Sequence, residues 1–346
     1  MIRAVRIAYE HMDSINVGLL GFGNVGTGTY ETLMMNRDRI TAAVGTEIDI
    51  VKILVNDINK KRTIDVPFSK YTSDVNDIIK DPNIDIMVEV LGGIEPATSY
   101  MLSAMEYGKH VVTANKAAVA ANYDVLHQTA TDNHVQFRME ASVGGGIPVL
   151  SSITSVLRAN RFEEILGILN GTTNYIMTQM AENGLSYEKA LKQAQEKGFA
   201  EADPTADVEG IDVANKLSIL MALAFDHHIH PKDIPTTGIT KITEEELKEA
   251  DAEGKVIKLI ASATNRGSRL DYSVKPMRLP KDHPLAGVKN EFNAVFLKGN
   301  AVDDLMFYGK GAGPLPTGSA VAGDIVQIAT EELKETMHEL MEGNKK

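Results

Sequence analysis

Cysteine is absent from this sequence of 346 residues. Its absence excludes disulfides and every reaction that depends on a thiolate nucleophile. A chain without cysteine fits a reducing compartment, so we expect a cytoplasmic protein.

Long apolar runs are also missing. No segment approaches the ~18 consecutive apolar residues that a membrane-spanning helix needs. The N-terminal stretch, MIRAVRIAYEHMDS, contains two arginines but lacks the apolar core of a signal peptide. We therefore expect no membrane partner, and we interpret these residues as a leader without an assignable role.

Positive charge is scarce, with 35 Lys and Arg residues against 47 Asp and Glu residues and a net charge of −12. Nucleic-acid binding needs a basic face, so no nucleic acid is expected as a partner. The hydrophobic content of 43% is typical of a globular protein. At ~150 residues per domain, the length indicates about two domains.

A glycine motif follows the first apolar run, INVGLL, and precedes a predicted helix over residues 27–35. In a G-x-G-x-x-G motif at this position, the first glycine permits a tight turn and the second lets the backbone approach a pyrophosphate. The third lets the helix pack close to the strand. The alternative is a glycine-rich turn in another kind of α/β protein. The predicted coenzyme contacts are Gly21, Phe22, Gly23, Asn24, Val25 and Gly26.

Apolar strands and helical stretches then alternate through residue 149, which predicts a parallel sheet with helices on both faces. Ligands of such sheets bind at the carboxyl ends of the strands, so the tips at residues 91–93 and 113–116 are expected to face one crevice. Residues 117–133 are predicted to be helical, and residues 135–149 to form a strand that runs into a glycine-rich bend. Lys116 lies at one of these tips, although lysine also protects strand edges.

The choice between NAD and NADP is left open by the residues after the second strand. Asp57 could hold the ribose hydroxyls of NAD, but it follows the glycine motif by about thirty residues instead of the usual ~20. Lys60, Lys61 and Arg62 could meet the 2′-phosphate of NADP, or they could form a solvated loop.

An acidic segment, GFAEADPTADVEGIDVANKL, contains five carboxylates and then Lys216. Pro204 interrupts the chain, so Glu201 is predicted to lie on a loop. Asp212 and Lys216 are four residues apart and share one face of a predicted helix. Lining a cleft, this pair could receive a substrate ammonium and move a proton. Facing water, it is an ordinary surface ion pair, which the spacing alone favours.

Other segments complete the second half of the chain. Residues 162–180 predict a strand, a turn and a helix that starts at Asn174 and is capped by Thr172 or Thr173. Residues 256–263 and 273–280 predict strands of a second sheet. The histidines of FDHHIH predict a polar helix end, with a metal site as the alternative. A loop rich in glycine and proline at residues 309–326 is predicted to enter a helix capped by Thr317 or Ser319.

Seven of these segments together resemble the homoserine dehydrogenase family, over residues 16–333. They are GFGNVG, VEVLGG, VVTANK, MEASVGGGIPV, LNGTTNYI, GFAEADPTADVEGIDVANK and GKGAGPLPTGSAV. The resemblance implies reversible oxidation of L-homoserine to L-aspartate 4-semialdehyde with NAD or NADP, in the biosynthesis of threonine, methionine and isoleucine. It also implies a Rossmann-type doubly wound parallel sheet plus an α+β domain for catalysis and dimerisation. The implied ranges are residues 1–147, with a helix at about 310–346 returning to them, and residues 148–309.

The resemblance also implies roles for single residues. Lys216 resembles the acid–base residue of the family, and Lys116 resembles its second lysine, near the coenzyme and the reacting oxygen. The implied substrate ligands are Glu201, Asp207 and Asp212. The implied coenzyme contacts outside the glycine motif are Lys116, Gly198, Glu201, Gly311 and Gly313. The implied ligands of a monovalent cation, sodium or potassium, are the Glu140 side chain and the backbone carbonyls of Val143, Gly145 and Ile147.

The sequence departs from the family at two points. Many relatives continue into an ACT regulatory domain, whereas this chain ends at Lys346, so we expect a monofunctional enzyme without threonine feedback through such a domain. Relatives often have arginine where this chain has Asn56, which again leaves coenzyme preference open. The family is commonly dimeric, so a homodimer is expected. Two alternative functions are a dehydrogenase of another small amino or hydroxy acid, and a nucleotide-binding regulator without chemistry.

Overall fold

The computed structural model describes residues 14–343, and the side chains of residues 14–334. The chain divides into two compact units. Within the described range, unit 1 comprises residues 14–118, 124–141 and 313–343, and unit 2 comprises residues 119–123 and 142–312. Across residues 14–343, no helix has both the length and the apolar character needed to cross a membrane.

Unit 1 is built on a six-stranded sheet in the order β3-β2-β1-β4-β5-β6, in which all neighbouring strands are parallel. The strands are β1 Ile15–Leu20, β2 Ile48–Leu54, β3 Tyr71–Thr72, β4 Ile86–Glu89, β5 His110–Thr113 and β6 Phe137–Arg138. The central strands are buried along nearly their whole length, as expected of a sheet covered on both faces. This order and the parallel pairing confirm the predicted Rossmann-type doubly wound sheet.

Helices cover the sheet of unit 1 and connect its strands. They are α1 Asn24–Met35, α2 Arg37–Val44, α3 Asn76–Ile79, α4 Ala97–Glu106, α5 Lys116–Ala121, α6 Tyr123–Asp132 and the C-terminal helix Pro314–Gly343. Residues 119–123, where α5 ends and α6 begins, belong to unit 2. The predicted helical stretch over residues 117–133 is confirmed as two helices, α5 and α6, because the chain bends at Asn122 between them. The predicted strand from residue 135 is present but short, since β6 has two residues and a 3-10 turn, Glu140–Ser142, precedes the glycine-rich bend.

Two glycines let the C-terminal helix lie directly against α1. A Cβ atom at Gly28 would be 1.9 Å from the Pro314 carbonyl oxygen, and one at Gly318 would be 2.3 Å from the Gly28 carbonyl carbon. The two helix backbones therefore touch without intervening side chains. Thr317 and Ser319 lie inside this helix and not at its start, so the predicted caps are wrong.

Unit 2 is built on a five-stranded antiparallel sheet in the order β11-β10-β7-β8-β9. Its strands are β7 Phe162–Ile168, β8 Lys255–Asn265, β9 Leu270–Pro280, β10 Phe292–Gly299 and β11 Asp303–Lys310. Its helices are α7 Gly171–Asn183, α8 Tyr187–Glu196, α9 Thr205–Val208, α10 Ile211–Phe225 and α11 Glu244–Ala252. Strands β8 and β9 confirm the predicted second sheet.

Candidate active site

The glycine turn of unit 1 has no room for side chains at two of its three glycines. Gly21 has a φ of +102°, and a Cβ atom there would be 3.0 Å from the Val90 carbonyl oxygen. A Cβ atom at Gly26 would be 2.2 Å from the Gly21 carbonyl oxygen. Gly23 caps α1 beside open space, and both it and Asn24 are exposed. The N-terminus of α1 thus offers free backbone N–H groups to a phosphate.

A buried carboxylate, which the sequence analysis missed, organises the neighbouring strand tips. Glu89 ends β4 with no solvent exposure, and its Oε2 accepts the Thr113 hydroxyl at 2.7 Å. Its Oε1 accepts the Leu91 N–H at 2.7 Å. Burial raises the pKa of Glu89, and these hydrogen bonds oppose the rise. Glu89 therefore ties the end of β4 to the end of β5. A carboxylate within an apolar strand was the available signal, because buried acids are rare unless they are paired.

Lys116 begins α5 directly after this network. Asn115 donates to the Gly93 carbonyl at 2.6 Å, and its Oδ1 accepts the Ala118 N–H at 3.1 Å, which caps α5. Because Lys116 lies in the first turn of a helix, its interpretation as a strand-edge residue is wrong. The same asparagine joins the glycine turn after β4 to the start of α5.

The basic loop after β2 is held by one of its own arginines. Arg62 donates to the carbonyls of Lys60 and Asp57, both at 2.7 Å, and its Cζ lies 4.6 Å from the centroid of the Tyr71 ring. The Asp57 carboxylate accepts the Asn59 N–H at 2.8 Å. Arg62 thus shapes the loop, so its role is more than that of a solvated charge.

In unit 2, Asp212 and Lys216 form a buried ion pair on α10. The two residues are 5% and 7% exposed, and the Lys216 Nζ lies 2.7 Å from the Asp212 Oδ2. The same Nζ donates to the Leu169 carbonyl at 2.7 Å, just after β7. The prediction of an ordinary surface pair is therefore wrong, because this face of α10 packs against the end of β7 and not against solvent.

Asn170 joins this pair to a second carboxylate. Its Nδ2 donates to the Asp207 Oδ1 at 2.7 Å and to the Asp212 Oδ2 at 2.9 Å. Its Oδ1 accepts the Thr173 N–H at 2.8 Å and so caps α7. The predicted cap by Thr172 or Thr173 and the predicted helix start at Asn174 are wrong. The signal was available, since asparagine is a preferred cap residue.

The electrostatics of this acid cluster, Asp207, Asp212 and Lys216 joined by Asn170, favour a cationic ligand. Burial raises the pKa of Asp207, the charge of Asp212 raises it further, and the hydrogen bond from Asn170 opposes both effects. Two carboxylates and one ammonium leave a formal charge of −1. A single positive group placed here would relieve the repulsion between the two carboxylates.

The loop before this cluster carries the other predicted contacts of unit 2. Gly198 has a φ of +75°, and Glu201 is exposed, with its backbone carbonyl accepting the Gln195 side chain at 3.1 Å. Asp203 accepts both the N–H and the hydroxyl of Thr205, which lowers its pKa and fixes the turn into α9. The acids of the segment therefore have separate surroundings, since Asp212 is buried, Asp207 is partly buried and Glu201 is exposed.

The residues predicted to bind a cation fall at the junction between the two units in the chain. Glu140 is buried, and its N–H donates to the Asp324 carboxylate at 2.9 Å. Gly144 and Gly145 have φ values of +75° and +56°, so the chain turns sharply at residues 143–147. The Ile147 carbonyl accepts the Val149 N–H at 2.9 Å.

The glycine loop near residue 311 is as crowded as the first one. A Cβ atom at Gly311 would be 2.0 Å from the Asn293 side chain, and one at Gly145 would be 2.6 Å from the Gly311 carbonyl group. Gly313 has a φ of +120° and immediately precedes the C-terminal helix.

The histidines after α10 have protein contacts. The His228 Nε2 lies 2.9 Å from the Ala120 carbonyl oxygen, and its ring stacks on Tyr123 with a centroid distance of 5.1 Å. In the part of the chain that the structure describes, no group of three or more His, Cys, Asp or Glu side chains could hold a metal ion.

Two family models match this chain, each over a different range of residues. The family model described as "Homoserine dehydrogenase, NAD binding domain" matches residues 21–140, and the model described as "Homoserine dehydrogenase" matches residues 148–326. The homoserine dehydrogenase of Bacillus subtilis (strain 168) is 44% identical over 317 residues, which cover 92% of this chain and 73% of the relative. The chain belongs to the homoserine dehydrogenase family.

Solved structures of homoserine dehydrogenases agree with this fold. The enzyme from Thiobacillus denitrificans has a TM-score of 0.91 and 40% identity, over 94% of this chain and 75% of that one. A hyperthermophilic archaeal homoserine dehydrogenase in complex with NADPH has a TM-score of 0.78 and 25% identity, over 92% of this chain and 98% of that one. Homoserine dehydrogenases are NAD(P)-dependent oxidoreductases that act on a CH–OH group, and the chain has both the NAD-binding domain and the dehydrogenase domain.

Proposed function

We propose that Lys216 is the acid–base residue of the interconversion of L-homoserine and L-aspartate 4-semialdehyde. The observation that carries this proposal is the buried amine of Lys216, 2.7 Å from the Asp212 carboxylate. In the reductive direction a hydride adds to the aldehyde carbon, and the Lys216 ammonium gives a proton to the oxygen. In the oxidative direction the amine takes that proton as the hydride leaves. Asp212 and the Leu169 carbonyl fix the position of the amine.

The substrate ammonium is assigned to the acid cluster. Homoserine carries one ammonium, and the cluster carries a formal charge of −1. Asp207 and Asp212 supply charged acceptors, which make the stronger hydrogen bonds. Glu201, on the exposed loop, is proposed as a further ligand of the substrate and of the coenzyme.

The coenzyme is assigned to the glycine turn, with its pyrophosphate on the N-terminus of α1. The NADPH complex of the archaeal relative supports NADPH as one coenzyme of this chain, with NADH as the alternative. Lys116 is proposed to lie near the nicotinamide and the reacting oxygen. The further proposed contacts are Gly198, Glu201, Gly311 and Gly313.

A monovalent cation, sodium or potassium, is assigned to Glu140 and to the carbonyls of Val143, Gly145 and Ile147. A single carboxylate among neutral oxygens suits a hard cation of low charge, and the two adjacent left-handed glycines allow the chain to turn its carbonyls around an ion. When bound, this cation would fix the turn at residues 143–147. Unit 2 as the catalytic and dimerisation domain, the homodimer and the cytoplasmic location remain predictions.

The test of the acid–base assignment replaces Lys216 by methionine, which keeps its length. We expect kcat to fall by about 10²–10⁴-fold in both directions, followed by nicotinamide absorbance with homoserine and with the semialdehyde. NADPH affinity should stay within about twofold, which also shows that unit 1 is folded. The matched control is Lys248→Met, because Lys248 forms an exposed pair with Glu244, again four residues apart on one helix. A folded Lys216→Met variant with a nearly normal kcat would refute the assignment.

A substrate panel tests the specificity. L-Homoserine should be oxidised in preference to hydroxy acids that lack the ammonium group, because only the former neutralises the acid cluster. Equal rates with both classes would contradict the assignment of Asp207 and Asp212.

A further inference from the structure

Unit 2 contains a cavity that the proposed reaction does not use. Its volume is about 350 Å³. It is lined by residues of α7, α11 and β8 and by the segment after β9, including Met177, Glu182, Asp251, Lys258, Lys281 and Lys289. None of these residues belongs to the acid cluster around Lys216.

Lys258 is the unusual residue of this cavity. It is 5% exposed, and its ammonium donates to the Asn174 Oδ1 at 3.0 Å and to the Val288 carbonyl at 2.6 Å. Both acceptors are neutral, so neither compensates the charge. An ammonium has three N–H groups, and the contacts described within residues 14–334 account for two of them. A buried cation of this kind is costly unless a counter-charge reaches it.

The other charges of the cavity are already paired. Lys289 lies 2.6 Å from Glu182, and Lys281 lies 2.6 Å from Asp251. Both pairs are largely exposed and formally neutral. Lys258 therefore leaves the cavity with one uncompensated positive charge. Burial lowers the pKa of Lys258 to about 8, with a further lowering by Lys289 and an opposing effect of Glu182.

We propose that this cavity binds a small carboxylate monoanion, with the carboxylate on the Lys258 ammonium. One uncompensated cation matches one negative charge, whereas a phosphate dianion would need a second. The apolar side chain of Met177 and the strand residues before Lys258 offer a surface for a short carbon chain. This site is independent of the role assigned to Lys216.

The experiment compares acetate with acetamide, which has nearly the same shape without the charge. Calorimetric titrations of the full-length protein at constant ionic strength should show acetate binding at least tenfold more tightly than acetamide. Lys258→Met should weaken acetate at least tenfold. Glu182→Gln, which frees the charge of Lys289, should tighten it. Equal affinity of acetate and acetamide, unchanged binding by Lys258→Met, or tighter binding of inorganic phosphate than of acetate would overturn the proposal.

A second measurement does not depend on the stability of the variant. In the unmodified protein, the lysine side chains carry a ¹³C label at Cε, and the resonance lost in Lys258→Arg identifies Lys258. Acetate at saturation should raise the pKa of this ammonium, because the anion stabilises its charged form. A pKa that stays the same with and without acetate would contradict carboxylate binding at Lys258. Acetate that binds elsewhere in the protein, for example where the substrate carboxylate binds, would leave this resonance unchanged.

Discussion

The contact between α1 and the C-terminal helix makes a sharp prediction, because two glycines on the same helix have opposite surroundings. Gly318 faces the backbone of α1, where an added Cβ atom would be 2.3 Å from the Gly28 carbonyl carbon and 2.5 Å from the Thr29 nitrogen. Gly323 is exposed, with nothing within 4 Å of an added Cβ atom. We expect Gly318→Ala to destabilise the protein and Gly323→Ala to stabilise it.

The size of the difference follows from the geometry. Each substitution gains about 1 kcal/mol of helix propensity, which cancels in the comparison. What remains is the overpacking at Gly318, for which core insertions typically cost ~1–3 kcal/mol. The clashing atoms are backbone, so no rotamer change can relieve them, and a value of about 3 kcal/mol is expected. At ~2–4 °C per kcal/mol, Tm should differ by about 6–12 °C.

The assay is thermal unfolding of both variants and the unsubstituted protein in the same buffer, with and without NADPH. Gly323→Ala should melt at or slightly above the parent temperature and bind NADPH normally. If Gly318→Ala melts within 1–2 °C of Gly323→Ala, on the scale of less than ~1 kcal/mol, the two helices are not in backbone contact, and the account of this interface is refuted.

Three further predictions concern the proposed coenzyme site in unit 1 and the acid cluster in unit 2. Thr113→Val removes a hydroxyl donor from Glu89 and should cost about 1–3 kcal/mol. Burial raises the pKa of Glu89, and the Thr113 hydroxyl stabilises the ionised form of this carboxylate. The loss in free energy of unfolding, measured with urea, should therefore be larger at pH 8 than at pH 5. Equal losses at both pH values would contradict an ionised Glu89. Asn170→Ser keeps a helix cap but removes the donors to two carboxylates, so KM for homoserine should rise at least tenfold, and an unchanged KM would contradict the bridging role. Gly26→Ala should weaken NADPH binding at least tenfold in equilibrium titrations, because a Cβ atom would be 2.2 Å from the Gly21 carbonyl oxygen, and normal affinity would show that the turn relaxes freely.

The sequence predicted the parts of the fold that depend on neighbours along the chain. The glycine turn after β1, the alternation that gives the parallel sheet, and the strands β8 and β9 are all local patterns of apolar residues and turn residues. Helix starts were predicted less well, even though Asn170 was a readable cap. The prediction placed the cap at Thr172 or Thr173, although Asn170 is also a preferred cap residue and lies just before them.

Burial of the acid cluster could not be predicted, because spacing gives a shared helix face and not what covers it. The Lys216 amine reaches the carbonyl of Leu169, 47 residues earlier in the chain. Likewise, the Glu89 carboxylate accepts the hydroxyl of Thr113, which lies 24 residues later in the chain, because β4 pairs with β5. Only the folded chain brings these partners together.

Helix α7 carries two asparagines that serve different parts of unit 2. Asn170, at its cap, bridges Asp207 and Asp212, while Asn174, four residues later, donates to the carbonyls of Asn290 and Phe292 and accepts the Lys258 ammonium. Inserting one residue between them would rotate one asparagine by ~100° against the other. The positions of these two side chains are therefore coupled through the helix. A redesign of the substrate pocket that shifts the register of this helix would also break the hydrogen bonds from Asn174 to the turn at residues 288–292.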